Sequence, residues 1–406
     1  MSLKTRIILV VVIGVVMGLS LSISGKLLDF DKLSSKQNST WKHAQVFTEA
    51  IESIKREYIE PIDESVLLEN AIRGMVSNLD PHSEFLDKNE HHNIRTSTSG
   101  SYVGVGIEVG QNNNKIQIIS PIAGSPAARA GIRSGDELVG IDGQALKNDN
   151  LGATIELLRG QVGSKVKLSI SRDNGVIDYY IQRQIIRVAS VHKELLNTSY
   201  GYVRVNQFNG NTAYELNLAV DELKNINQGS LMGLILDLRN NPGGRLDSAV
   251  KVSDLFLDNG VIVSAEGRTP ESSFVRSAHF GDIIQGSKIV VLVNNGSASA
   301  SEIVAGALQG NNRGIIVGTP TFGKGLVQTV VPLSKGQAIK ITTSRYFTPS
   351  GESIHEVGIR PDIYIDNTHG FPDLSLSGSL NIKDDKQLAE AISFLNSQIE
   401  LHSQLK

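Results

Sequence analysis

Three short turns in the second half of the chain hold residue types that could do chemistry. The first reads NNGSASASE over residues 294–302, between the apolar run KIVVLV and the helix-like run EIVAGALQ. Ser299-x-x-Glu302 fits a capping box, with the serine as N-cap. A cap needs one good serine and no run of small neighbours. A nucleophile does need them, because a substrate carbonyl must reach it unobstructed, and the field at a helix N-terminus favours developing negative charge. The residues alone leave both readings open. The second turn, DLRNNPGG over 237–244, places Gly243 and Gly244 after a proline. Without a Cβ, their N–H groups could approach a ligand and hold an oxyanion. The plain alternative is a tight turn with a helix cap. The third turn, TPTFGKGLVQ over 319–328, has the glycine–lysine–glycine order of a phosphate loop. It fails that pattern because Gly325 follows Lys324, and a strand rather than a helix comes next. Lys324, flanked by glycines, is a candidate base. Gln328, four residues on and of the same parity in an extended strand, shares its face. Otherwise Lys324 is a solvated surface cation.

Other chemistries find less support. His279 in SAHFGD and His355 in SIHEVG lack an accompanying aspartate pattern and read as surface residues. No HExxH or DxDxDG spacing occurs, so neither a metal nor another cofactor is expected. The absence of cysteine excludes thiol catalysis, disulfides and thiolate metal sites. A net charge of −3 and 5% aromatic residues argue against a nucleic-acid partner.

The elements that must position these turns follow from periodicity. From residue 190 to 366, strand-like runs (YGYVRVNQF, LMGLILDLR, KIVVLVNN, GIIVG, LVQTVVPL, AIKITTSRYF) alternate with helix-like ones, the pattern of an α/β layer fold. Each of the three turns follows such a strand or lies between two. Residues 101–185 read instead as a small β domain with helices over 125–130 and 151–158, its strands marked off by Gly and Asp turns. Residues 41–79 predict two helices broken at Glu60-Pro61-Ile62-Asp63. Residues 87–100 read as a polar linker, 367–382 as loop and 387–401 as helix. At the start, Lys4 and Arg6 precede an uncharged run over 7–25, near the ~18–20 residues that span a bilayer. This is a secretory signal or a membrane anchor. The poor fit of LSISG to a cleavage site favours the anchor, and the basic end stays in the cytoplasm, so the rest is exported.

With these motifs in view, the chain resembles the carboxyl-terminal processing, or tail-specific, proteases, which use a serine–lysine pair. LILDLRNNPGG, VLVNNGSASASEIVAGALQ, GTPTFGKGLVQT and TPSGESIHEVGIRPD match that family's pattern in order, and AIRGMVSNLDPHSEFL (71–86) fits its first helical region. Gly310 and Thr319-Pro320 depart from the pattern without touching the candidate groups. The β domain resembles a PDZ domain. Gly104-Val105-Gly106-Ile107 corresponds to the loop that receives a C-terminal carboxylate, and GSPAARAGIRSGDELVGIDG (124–143) continues the match. Consecutive N–H groups there would form an anion nest beside a strand edge.

The resemblance implies Ser299 as nucleophile, Lys324 as base, Gln328 as its orienting partner, and the N–H of Ala300 with that of Gly243 or Gly244 as oxyanion donors. The expected fold is multidomain α/β. It comprises a signal or anchor (1–25), a helical region (26–95), an inserted small β PDZ domain (96–185), a layered protease core (186–366) and a C-terminal helical segment (367–406). The expected activity is cleavage of exported proteins near their C-termini, on the periplasmic side of the cell envelope. The rival from another class is a PDZ adaptor or chaperone that binds tails without cutting. A regulatory or adaptor protein is a further expected partner, as is a second copy of the chain contacting through 41–79 and 387–401.

Overall fold

The computed structural model describes residues 41–112, 115–146, 151–173, 175–197, 199–366 and 385–404. The signal or anchor read over 1–25 lies outside them. Among the described residues no helix is long and apolar enough to cross a membrane. Two compact units part between Pro81 and His82.

The first unit holds the two helices expected around Pro61. One covers 41–57, and the other, Glu64–Ser77, is capped by Asp63, whose Oδ1 accepts the Ser65 N–H at 2.7 Å. Trp41, Ile59 and Met75 stay largely exposed.

The second unit begins with a difference from the sequence reading. Residues 88–99, expected as linker, form a helix, Lys88–Ser99. Asp87 Oδ1 accepts the N–H groups of Asn89 and Glu90, and Glu90 Oε2 accepts the Asp87 N–H at 2.8 Å. Gly100, at φ 74°, ends the helix. Its stop and start signals are standard, but it buries no residue, so it has no apolar period to find.

The core sheet runs Val191–Leu196, Tyr200–Val205, Gly233–Asp237, Lys288–Val293, Gly314–Gly318, Ile363–Tyr364. Its first pair is antiparallel and the rest are parallel. The central strands GLILD and KIVVLV are buried almost throughout, as a sheet covered on both faces requires. Side-chain parity decides which cover each residue meets. Ile289, Val291 and Val293 pack under the helices Thr212–Ile226, Leu246–Asp254 and Ala300–Gly310. Val290 and Leu292 face the opposite layer, where the helix Lys386–Gln404 inserts Leu388, Ala391 and Leu395. The C-terminal segment offered above as an oligomer contact thus spends this apolar face inside the chain.

A second sheet carries Ala338–Phe347 at its centre, paired with Val261–Gly267, Leu326–Pro332 and Glu84–Leu86. Residues 84–86, placed from sequence in the helical region, are therefore a strand beside 338–340.

The β domain is an insertion. It is entered by Ser101–Gly104 and left by Gln184–Arg187, and these two strands pair antiparallel as a separate ribbon. Between them lie Ile107–Asn112, Lys115–Pro121, Glu137–Ile141, Lys165–Arg172 and Gly175–Gln182, closed around Ile116, Ile118, Leu168 and Ile170. The run YVGVGIEV, read as one stretch, is broken at Val105–Gly106 into two strands of different sheets.

Candidate active site

The three turns singled out from sequence leave the C-terminal ends of three adjacent parallel strands: Gly233–Asp237, Lys288–Val293 and Gly314–Gly318. Strand ends of such sheets share one edge, so the topology brings the turns together.

The alternation of serine and alanine now has a physical account. Ser297 and Ser301 are fully buried. Ser297 Oγ donates to the Leu238 carbonyl at 2.8 Å, and Ser301 Oγ donates to that of Asn241 at 2.9 Å. Both hydroxyls tie the NNGSASASE turn to DLRNNPGG. Asn240 and Asn294 reinforce the tie: Asn294 Oδ1 accepts the Asn240 backbone N–H and Asn294 Nδ2 donates to Asn240 Oδ1, both at 2.8 Å. Ser299, between them, stays partly exposed. It sits at the N-cap of Ala300–Gly310 with φ 56° and ψ −112°, a region that costs a non-glycine residue strain.

Gly243 lies against this turn. A Cβ there would come within 2.7 Å of the Ala298 carbonyl oxygen, 2.8 Å of Ser299 Cβ and 2.9 Å of the Ala300 nitrogen. Its φ of 102° also requires glycine. The Gly243 N–H donates to Asn241 Oδ1 at 2.9 Å. Among the described residues no hydrogen bond uses the N–H of Gly244 or of Ala300. Gly244 is locked by a bridge to Phe208, whose carbonyl oxygen a Cβ at 244 would meet at 2.0 Å.

Glu302, read from sequence only as a cap, does more. It is completely buried. Its Oε2 accepts the Ser299 N–H at 2.7 Å and the Lys324 N–H at 2.9 Å. Its Oε1 accepts the Thr321 hydroxyl at 2.6 Å and the Gly323 N–H at 2.7 Å. One carboxylate oxygen thus holds the backbones of both candidate catalytic residues. No sequence spacing links Glu302 to the 321–324 loop, so this role could not be read in advance.

Lys324 is half-buried and its Nζ donates to Gln328 Oε1 at 3.3 Å. Gln328 Nε2 in turn donates to the His82 carbonyl at 3.1 Å, which fixes the amide with its oxygen towards the lysine. Gln328 lies in the strand Leu326–Pro332, but Lys324 precedes that strand and its register shifts between Val327 and Gln328, so regular strand parity does not account for the contact. The DPHSEFL stretch, without a role in the sequence reading, supplies that carbonyl.

Beneath the 237–244 turn, Arg239 makes bidentate contact with Asp237 at 2.6–3.0 Å and reaches Asp385 at 2.8 Å, all three nearly or fully buried. Burial works against the Asp237 charge, but the Arg239 guanidinium overrides it and holds the carboxyl below the usual carboxylate range. The Tyr202 hydroxyl donates to the same carboxylate at 2.7 Å.

The histidines stand apart from this chemistry. His279 is exposed and contacts Asp254 at 3.0 Å. His355 packs its backbone on Gly325, with Nδ1 buried and without a hydrogen-bond partner. No cluster of three or more His, Cys, Asp or Glu suited to a metal occurs among the described residues.

In the β domain, Gly106 has φ 81°, and a Cβ there would meet Ser125 Cβ at 2.3 Å. The carbonyl of Val105 receives the Ala127 N–H at 3.0 Å, and that of Gly106 receives the Ile122 N–H at 3.0 Å and Ser125 Oγ at 2.9 Å. Among the described residues the N–H groups of Val105 and Gly106 donate to nothing. Gly104 pairs in the ribbon, and Ile107 opens a strand whose outer edge pairs with no strand among the described residues. Carbonyls held back and N–H groups left open are what a carboxylate nest needs.

Comparison with known proteins shows the family of the chain. Residues 199–365 match peptidase family S41, 117–172 match a PDZ domain, and 15–90 match the activating protease CtpB N-terminal domain. The carboxy-terminal-processing protease of Bartonella bacilliformis is 42% identical over 359 residues, covering 87% of this chain and 82% of its own. The carboxy-terminal processing protease CtpA of Bacillus subtilis is 37% identical over 317 residues, 77% of this chain and 67% of its own. Among solved structures, the photosystem II D1 C-terminal processing protease is 33% identical, covers 79% of this chain and 92% of its own, and superposes with a TM-score of 0.48. The chain belongs to the carboxy-terminal processing protease family: it is a peptidase of family S41 that carries a PDZ domain.

Proposed function

We propose that this peptidase is an exported serine endopeptidase of the cell envelope, held on the periplasmic side by its N-terminal segment or released there. It captures protein C-termini at Gly104–Ile107 and cleaves through Ser299 and Lys324. The observation that carries the catalytic part is the Glu302 carboxylate, which fixes the backbones of Ser299 and Lys324 from a single oxygen. In the reaction, neutral Lys324 Nζ takes the proton of Ser299 Oγ as that oxygen attacks the scissile carbonyl carbon. Gln328 orients the amine. Charge gathers on the former carbonyl oxygen, which the N–H groups of Ala300 and Gly244 receive. These two are favoured because neither has another acceptor, whereas the Gly243 N–H is taken by Asn241. When the tetrahedral intermediate collapses, the C–N bond breaks and the lysine ammonium returns its proton to the leaving amine. Water then adds to the acyl-enzyme with Lys324 again as base, releasing the acid and Ser299.

Tail capture uses the open N–H groups of Val105 and Gly106 for the carboxylate and the outer edge of Ile107–Asn112 for the peptide backbone. Export and envelope location rest on the basic start and apolar run of residues 1–25.

The test is cleavage of an unfolded protein by the full chain, with Ser299→Ala as control. Cleavage by the parent and none by the variant is expected. Binding of tails without cleavage by either would leave the adaptor reading. A second arm compares free-acid with amidated tail peptides. The free acid should bind more tightly, and equal affinity would remove the carboxylate pocket.

A further inference from the structure

The phenol of Tyr346 meets the peptide of the candidate base Lys324, and no step of the mechanism above uses it. Tyr346 lies near the end of the strand Ala338–Phe347 and is 2% exposed, inside the main apolar cluster. Its backbone N–H donates to the Gly325 carbonyl at 3.1 Å. Its hydroxyl donates to the carbonyl of Lys324. One residue therefore holds two successive carbonyls, the lysine's own and the next. Glu302 holds the N–H groups of Gly323 and Lys324 on the other side. The lysine's peptide is thus gripped from both directions.

We propose that Tyr346 is a positioning residue of the serine–lysine pair, its phenol holding the Lys324 carbonyl while Glu302 holds the Lys324 N–H, so that the peptide of the base is fixed. The inference rests on the assignment of Ser299 and Lys324 made above. Packing alone does not explain the residue. A phenylalanine would fill the same apolar site without bringing in a polar atom that costs free energy unless bonded. Nor does Tyr346 act as a base. Burial, and after it the Glu302 charge, push the phenol well above its ordinary range. It stays neutral and keeps its proton for the Lys324 carbonyl. Its role is to set distance and direction.

Tyr346→Phe keeps the ring and removes the hydroxyl's bond to the Lys324 carbonyl. With the full chain and an unfolded protein substrate, kcat should fall on the order of 10–100-fold, the scale of a small misplacement of reacting groups. KM and tail-peptide affinity should stay at the parental values. Covalent labelling of Ser299 by a fluorophosphonate should slow in the same proportion as kcat. A purely structural role would instead lower the melting temperature and leave kcat per folded molecule unchanged, and that result overturns the proposal. Should Tyr346→Phe fail to fold, 3-fluorotyrosine at 346 decides. It preserves shape and hydroxyl but makes the O–H a stronger donor to the Lys324 carbonyl, so kcat should shift at constant melting temperature. Parental kcat in that protein overturns the proposal too. Ser299→Ala and Lys324→Ala run alongside. If either retains parental cleavage, the serine–lysine assignment itself falls. If both are inactive while Tyr346→Phe is fully active, only the role of Tyr346 falls.

Discussion

At Glu302 a single buried carboxylate receives four hydrogens, two on each oxygen. Glutamine has one acceptor oxygen, and its NH2 would face two of those donors. Glu302→Gln should therefore leave buried N–H groups unpaired at a cost of about 1–3 kcal/mol each. The expected result is a lower melting temperature together with a loss in kcat that exceeds any change in KM, measured by thermal denaturation and steady-state kinetics. A variant that melts lower but keeps parental kcat would confine Glu302 to stability. Lys324 makes a different demand, because a base must be able to shed its proton. Arginine stays protonated, so Lys324→Arg should be nearly as inactive as Lys324→Ala while both still bind tails. Substantial cleavage by the arginine variant would end the lysine mechanism. At Gly243 the obstacle is space. A methyl group would press on Ser299 Cβ and the Ala300 nitrogen at under 3 Å, so Gly243→Ala should reduce kcat by about 100-fold. Residue types were the most legible part of this molecule. Lys324 stood out by its glycine neighbours and Gln328 by an assumed strand parity, whereas Ser299 as nucleophile rather than cap rested on the family resemblance. What the sequence withheld was partnership across distance, as with Glu302 and the 321–324 loop or Gln328 and the His82 carbonyl. It also could not separate Gly243 from Gly244. In the fold, Asn241 Oδ1 accepts the Gly243 N–H, and among the described residues no hydrogen bond uses that of Gly244.

Among the elements, the helix Lys386–Gln404 has more reach than its position suggests. Asp385 precedes it and accepts the Leu388 N–H at 3.0 Å, and the same side chain binds Arg239 under the 237–244 turn. The C-terminal helix thus anchors the loop that carries Gly243 and Gly244. Removing one partner of a buried ion pair typically costs about 3–5 kcal/mol. Asp385→Ala should therefore destabilise the fold by several kcal/mol and lower kcat, although residue 385 belongs to the layer opposite the catalytic helix. Equilibrium unfolding alongside kinetics on the folded fraction separates the two effects. Retention of full kcat would show that the loop holds its shape without the clamp. Long apolar periods made the core strands and helices readable. The elements that escaped were those whose stability comes from elsewhere. The polar helix Lys88–Ser99 is held by its caps, and the three-residue strand Glu84–Leu86 exists only because Ala338–Lys340 waits for it some 250 residues later.

For the molecule as a whole, acid should be the condition that exposes its buried charges. Asp237 and Asp136 are both held below the usual carboxylate range. Burial opposes this in each case and is overcome by Arg239 and Arg172 respectively. Such groups contribute their full stabilisation above the unfolded-state value, ~3.9 for aspartate, and lose it as pH falls through the lower folded value. The melting temperature should be nearly level from neutrality down to pH about 5 and fall below pH about 4. Asp136→Asn should start lower at neutral pH and lose less on acidification. An equally steep acid limb in that variant would assign the loss to other groups.

The ribbon at the entrance of the inserted domain has a consequence for folding. Gly104 and Gln184 are separated by about eighty residues and are partners in one ladder. Once the ribbon has formed, those residues make a closed loop whose ends are fixed, so the entropy of bringing the ends together is settled before the inserted β domain folds. That domain has its own apolar centre. It should be able to open and reclose as a separate cooperative unit while the strands on either side stay in register. Hydrogen exchange should then divide the amides of 105–183 from those of the core sheet into two classes with different opening free energies. Added tail peptide should slow the first class alone.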